Sequence, residues 1–146
     1  MRLVLILAAC AALAGTAAGA TGPAAGPAAF LADRQSPNGG FAEQGQAPDA
    51  SLTAWAALGL VAANGSESAR SRAGEFLRTR STEKATDGDV ALRAIALDAL
   101  GERVDDGLLA RLREHRPSAL VNETMWTVIA LRAVGEEPSA TFVRAI

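Results

Sequence analysis

Aromatic side chains are scarce: they make up 4% of the 146 residues, and tyrosine is missing altogether. Alanine supplies much of the apolar half, so helices can approach closely while each buries little area. There is one cysteine, Cys10, and one histidine, His115. No disulfide can form within the chain, and no zinc ligand set can be assembled from these residues. Charge of one sign is also missing. A net charge of −2 gives no electrostatic reason to expect nucleic acid as a partner. Lys84 is the only lysine, and arginine with alanine richness points to a GC-rich bacterial genome. Period-two alternation is absent too, which excludes a strand-based fold. What remains is an all-α chain of one domain at most.

The N-terminus reads as an export signal. Met1-Arg2 is a short basic region, and Leu3 to Leu13 is an apolar run too short to span a bilayer. Ala18-Gly19-Ala20 is a small-x-small cleavage site, giving a signal peptide over 1–20. The rivals are lipidation at Cys10, which follows Leu7-Ala8-Ala9, and an uncleaved anchor. Cleavage after Ala20 removes the only thiol. The chain is then secreted or at the cell surface, and its stability must come from packing.

Residues 21–27 are rich in Ala, Gly and Pro and read as a linker to a helical domain over 28–146. A short helix from Ala28 to Arg34 is expected to bury Phe30 and Leu31. Asn38-Gly39-Gly40 is a turn. Asp49 or Ser51 caps a helix that is apolar almost all round, from Leu52 to Ala63, with Gly65 ending it. Ser66 or Ser68 caps a helix with one apolar stripe, Ala69, Ala73, Phe76 and Leu77. Thr79 to Asp87 is a polar loop. Asp87-Gly88-Asp89 caps the next apolar helix, Val90 to Leu100, ended by Gly101. Asp105 or Asp106 caps a striped helix carrying Leu108, Leu109 and Leu112, stopped by Pro117. Asn122 caps an apolar helix, Glu123 to Val134, ended by Gly135, and Ser139 caps a last one.

Trp55, Leu92 and Trp126 occupy matching places in the three apolar helices, with spacings of 37 and 34 residues. One striped helix plus one all-round apolar helix per period is a helical-hairpin repeat. Stacked units bury the apolar helices side by side in an inner layer, with the striped helices outside.

Gln35-Ser36-Pro37-Asn38-Gly39-Gly40-Phe41, followed by Thr53-Ala54-Trp55-Ala56-Ala57-Leu58, resembles the repeat of the prenyltransferase and squalene-cyclase superfamily. Val121 to Gly135 resembles a second copy that has lost its glycine turn. The likeness is to secreted bacterial terpene cyclase/mutase-like proteins. It implies an α/α toroid of about six hairpins. This chain holds about three, hence about half a ring: a fragment truncated at its C-terminus, or a homodimer if the chain is complete.

The same resemblance directs attention to particular residues. The cyclase branch protonates an alkene with an Asp-x-Asp-Asp motif. Asp87-Gly88-Asp89-Val90 approaches it but has Val90 in place of the third acid, and reads equally as a pair of helix N-terminal acids. The protein-prenylating branch binds zinc through Asp, Cys and His, a set missing here. Trp55 and Trp126 are the candidates to line a cavity and hold an apolar or cationic ligand; ordinary core packing is the alternative. His115 reads as a solvated histidine complementing a helix C-terminus. The arginines at 70, 72, 78, 80, 111, 113 and 116 read as wet helix faces, with a phosphate site as the alternative. Asn64-Gly65-Ser66 and Asn122-Glu123-Thr124 match a glycosylation pattern but read as a helix stop and a helix cap.

These observations imply no catalytic residue, metal or cofactor. They lead to an exported domain binding an apolar or isoprenoid-like molecule, or a protein, through Trp55, Trp126, Asp87 and Asp89. The alternatives are a fragment of a cyclase or prenyltransferase-type enzyme, and a corrinoid-binding half-toroid.

Overall fold

The computed structural model describes residues 24–116 and 121–146. The expected export signal and Pro117 lie outside the described residues. Among those described, every regular element is a helix: α1 Ala25–Arg34, α2 Ala50–Ala62, α3 Glu67–Arg78, α4 Asp87–Ala99, α5 Asp106–Glu114, α6 Val121–Ala133 and α7 Ala140–Arg144. Extended pairing is limited to one isolated bridge, Phe41 with Asp49. No helix among the described residues is long and apolar enough to cross a membrane.

Side-chain caps start most of these helices. Asp49, Ser66, Asp105 and Ser139 each accept from the N–H three residues on, and each such cap contributes about 1 kcal/mol. Three expected starts move. The cap of α4 is Thr86, not the Asp87-Gly88-Asp89 run. The Thr86 hydroxyl accepts from the Asp89 N–H while the Asp89 carboxylate accepts from the Thr86 N–H, a capping box. Helix α6 begins at Val121, so Asn122 lies inside its first turn, where its Oδ1 accepts from the Glu123 N–H at 3.0 Å. Helix α1 also begins early, at Ala25. It takes Pro27 into its first turn, where the missing N–H costs nothing. Its buried residue is Ala28, not Phe30. Phe30 is 56% exposed, with the Arg34 guanidinium 4.6 Å from its ring centre.

The three apolar helices end alike. Asn64, Gly101 and Gly135 take positive φ of 50°, 73° and 78°. Each is nine residues beyond its anchor, Trp55, Leu92 or Trp126. In each helix the next N–H reaches back five residues: Gly65 to the Leu60 carbonyl, Glu102 to Leu97 and Glu136 to Leu131. These are Schellman motifs, and they set the hairpin register. The stop of α2 is therefore Asn64, and Gly65 is the residue after it.

Helices α2, α4 and α6 pack side by side, with α4 in the middle, and α1, α3, α5 and α7 lie against that row. Alanine makes the row close. Ala54 and Ala57 of α2 and Ala91 and Ala94 of α4 are fully buried in the main core, with Leu77, Leu97, Leu108, Leu112 and Leu131 beside them. A second cluster joins Phe41, Ala56, Leu60 and Ala69, with Leu31 of α1 against it.

The glycine turn is built onto α3. Gly39 has φ +85°, and a Cβ there would collide with the Arg72 carbonyl. A Cβ on Gly40 would sit 2.5 Å from the Phe76 ring. Gln35 ties the turn down. Its amide donates to the carbonyls of Gly39 and Ala69 at 2.9 Å each, and its oxygen accepts from Arg72 at 2.7 Å. Phe41 is thereby buried, and its N–H donates to the Thr53 hydroxyl at 2.9 Å.

Candidate functional site

Three of the four singled-out residues, Trp55, Asp89 and Trp126, line one open cleft of about 240 Å³ over the first turns of α2, α4 and α6. Asp87 does not line it. Trp55 and Trp126 come from helices that flank α4. Their rings meet edge to face, 5.8 Å between centres and 82° between planes. Leu92 and Gly88 of α4 lie beneath them. Helix α2 is apolar nearly all round, which predicts burial of Trp55, but Trp55 is 52% exposed. The neighbouring positions Ala54, Ala56 and Ala57 are small, so α2 can be covered on its other sides by close backbone approach while the large ring is left on the uncovered face.

Asp89 forms the polar wall of the cleft. Its Oδ1 accepts from the Ser51 hydroxyl at 2.5 Å, and its Oδ2 accepts from the Thr86 hydroxyl at 2.8 Å. Burial works to raise its pKa, but the bonds from Ser51 and Thr86 outweigh burial and hold the carboxyl below its usual range. An acid kept ionised in this way has no proton to give an alkene at neutral pH.

Asp87 faces another way, toward the junction of α4, α5 and α6. Two residues apart on a helix puts Asp87 and Asp89 on opposing sides, so they do not act as a pair. Asp87 Oδ2 lies 2.7 Å from His115 Nδ1, and Oδ1 accepts from Arg111 at 3.1 Å. Burial again works upward on the Asp87 pKa. The hydrogen bonds and charges of His115 and Arg111 overcome it and hold the carboxyl low. His115 is buried, not solvated, and its Nε2 lies 3.2 Å from Thr124 Oγ1. Since an ionised carboxylate only accepts, Nδ1 carries a proton, and the Thr124 hydroxyl serves Nε2 in either protonation state. The Asp-His-Thr order resembles a nucleophile chain, but Thr124 is 1% exposed and is not among the residues lining the open cleft that His115 and Phe142 line. The cluster is a structural joint.

Several arginines are also working residues instead of wet ones. Arg111 donates to the Thr82 and Ala85 carbonyls as well as to Asp87. Arg93, not singled out in the sequence, is 5% exposed and donates to the Arg78 and Arg80 carbonyls, at and just past the end of α3. Together they fasten the polar loop ahead of α4. Arg72 holds Gln35. This leaves a phosphate site at Arg72 or Arg111 without support. Among the described residues no group of three or more His, Cys, Asp or Glu side chains is placed to hold a metal ion.

Thr53 and Thr124 are buried, hydrogen-bonded polar positions that the sequence pattern does not flag. Each stands two residues before a tryptophan and is fully buried; that shared offset was the available signal. Compared with protein-family models, curated proteins and solved structures, the chain matches none.

Proposed function

We propose that this chain is an exported helical-repeat domain of the prenyltransferase and squalene-cyclase-like superfamily, about half an α/α toroid, that binds an apolar, isoprenoid-like molecule without catalysis. One observation carries the reading: Trp55, 52% exposed, and the partly buried Trp126 meet edge to face and line an open cleft over the first turns of α2, α4 and α6. Indole surface left in water on a rigid row of helices is binding surface in waiting. The repeated Schellman ends and the alternation of apolar and striped helices support the toroid-type architecture. The Gln-Asn-Gly-Gly-Phe turn supports the superfamily assignment, because Gln35, Gly39, Gly40 and Phe41 all meet α3 or α2 and Asn38 holds the turn itself by accepting from the Gly40 N–H. The cleft is smaller than the roughly 300–1,000 Å³ of drug-sized ligand sites, so it suits one end of a prenyl chain.

Catalysis is disfavoured by what the two aspartates are already doing. Asp89 closes the capping box at Thr86 and Asp87 joins three helices, and both carboxyls are held below their usual range. Export rests on the sequence of residues 1–20 alone.

Tryptophan emission tests the reading. Titration with farnesol should give a saturable quench and blue shift, and Trp55→Ala should weaken binding about tenfold. Absence of saturation, or an unchanged affinity in Trp55→Ala, would remove the ligand reading. Incubation with squalene or farnesyl diphosphate should leave both unchanged. Product above background would overturn the non-catalytic part.

A further inference from the structure

The tryptophan cleft lies over the first turns of three helices, and such helix ends ordinarily draw anions. Here that attraction is already answered within the chain. The Leu52 N–H of α2 donates to Asp49 at 2.8 Å, the Asp89 N–H of α4 to Thr86 at 3.1 Å, and the Glu123 N–H of α6 to the Asn122 side chain at 3.0 Å. The described residues lining the cleft include two acids, Asp89 and Glu123, and no Arg, Lys or His. A diphosphate placed there would meet two carboxylates and no cationic partner.

A second cleft, of about 390 Å³, shares Ser51 and Asp89 with the first. Asp49 and Glu83 also line it, against Lys84 alone, so the excess of negative charge continues there. Asp89 stands where the two clefts meet. A carboxylate has about four acceptor positions. The Ser51 hydroxyl takes one on Oδ1, and the Thr86 N–H and hydroxyl take two on Oδ2, which leaves one on Oδ1. All three donors are neutral, so they orient the carboxylate without cancelling its charge. Beside it Trp55 presents an indole that is 52% exposed, braced edge to face by Trp126. An indole face attracts a cation as well as an apolar chain.

We infer that the cleft selects its ligand by the charge of the polar end: it takes an aliphatic chain ending in an ammonium group, with the chain on Trp55 and Trp126 and the N–H donors on Asp89, and turns away the corresponding diphosphate. The inference rests on the reading of the cleft as a ligand site and adds the class of ligand, an aliphatic amine that is protonated at neutral pH in the way a lysine side chain is.

Three probes that differ only in the polar end test it: geranylamine, geraniol and geranyl diphosphate, each titrated against the full chain by tryptophan emission at neutral pH. The amine should bind at least about threefold tighter than the alcohol and at least about tenfold tighter than the diphosphate. Asp89→Asn should remove most of the amine's advantage while geraniol binds as before, with circular dichroism reporting the fold. Glu123→Gln, outside the Thr86 capping box, should reduce the advantage independently. Asp98→Asn removes the same charge at the other end of α4 and should leave the advantage intact. Raising the salt from about 0.02 to 0.5 M should narrow the gap between amine and alcohol, because added ions screen an exposed charge pair. Equal affinity for the three probes, or tightest binding of the diphosphate, overturns the inference and leaves the apolar-ligand reading standing. Saturation by none of the three overturns both. An amine preference that survives Asp89→Asn and Glu123→Gln, or that disappears equally in Asp98→Asn, overturns the assignment to these carboxylates and reduces the effect to the net charge of the protein.

Discussion

The first and third hairpins bury the same hydroxyl and satisfy it by different means. Thr53 and Thr124 stand at equivalent positions, two residues ahead of Trp55 and Trp126. Thr53 accepts from the backbone N–H of Phe41, brought there by the Gly39-Gly40 turn. Thr124 meets a side chain instead, His115 Nε2. The middle hairpin dispenses with the bond and buries Val90 at that place. The third hairpin has thus replaced a glycine turn by an imidazole. The replacement has a consequence. The turn is closed within the first hairpin and α3, while His115 is also bonded to Asp87 at the start of α4, so it couples the second hairpin to the third.

If that comparison is right, the largest losses should come from the turn, where neither glycine has room for a side chain. Gly40→Ala pushes a Cβ into the Phe76 ring, and Gly39→Ala adds a Cβ at positive φ against the Arg72 carbonyl. Either should cost about 3 kcal/mol or more, read as a lowered urea midpoint with an unchanged slope. A loss below about 1 kcal/mol would mean the turn moves freely and Phe41 is not placed by it. His115→Ala comes next, at about 2–3 kcal/mol, because it leaves the buried Thr124 hydroxyl without its ring partner and Asp87 with Arg111 alone.

The two threonines sharpen the comparison at a smaller scale. Thr53→Val and Thr124→Val should each cost about 1–2 kcal/mol, since each removes one partner of a buried hydrogen bond. Their sum should be additive, because they share no partner. Thr124→Val combined with His115→Ala should cost less than the sum of the two. Additivity in that second pair would show that the 3.2 Å contact carries no energy.

Much of this was readable from the residues, and the limits were physical. Helix type, the caps Asp49, Ser66, Asp105 and Ser139, and the inner and striped helices follow from periodicity and capping chemistry. Asn64 escaped because glycine dominates the left-handed position and Gly65 stood next to it. Trp55 and Phe30 escaped because an all-apolar or short apolar helix does not say which side its neighbours leave open. His115 escaped for a different reason. Its partners are 28 and 9 residues away, and local rules place a histidine at a helix end in solvent. Only the stacking of hairpins brings Asp87 and Thr124 to it. The same holds for Arg93, whose carbonyl partners lie at and just beyond the end of α3, 13 and 15 residues away.

The smallest effect separates the two devices by pH. The glycine turn relies on backbone, the Gln35 amide and an arginine, none of which changes charge under mildly acid conditions. The joint at His115 relies on an ionised Asp87. Burial works against that charge, and His115 and Arg111 more than offset it, so the folded pKa lies below the unfolded value of about 3.9. A carboxyl depressed on folding stabilises the fold fully above its unfolded pKa, and that stabilisation is lost as pH falls toward the folded value. Asp87→Asn should therefore be less stable than the parent near neutrality, with the gap narrowing below about pH 4. Gly40→Ala should keep a constant offset over the same range. Asp89 is depressed in the same direction, so the parent's acid limb should shrink in Asp87→Asn without vanishing. Urea midpoints measured at a series of pH values for the three proteins decide it. Parallel curves for the parent and Asp87→Asn would show that the junction works by shape alone, and the contrast between a backbone device and an ionic one would fall.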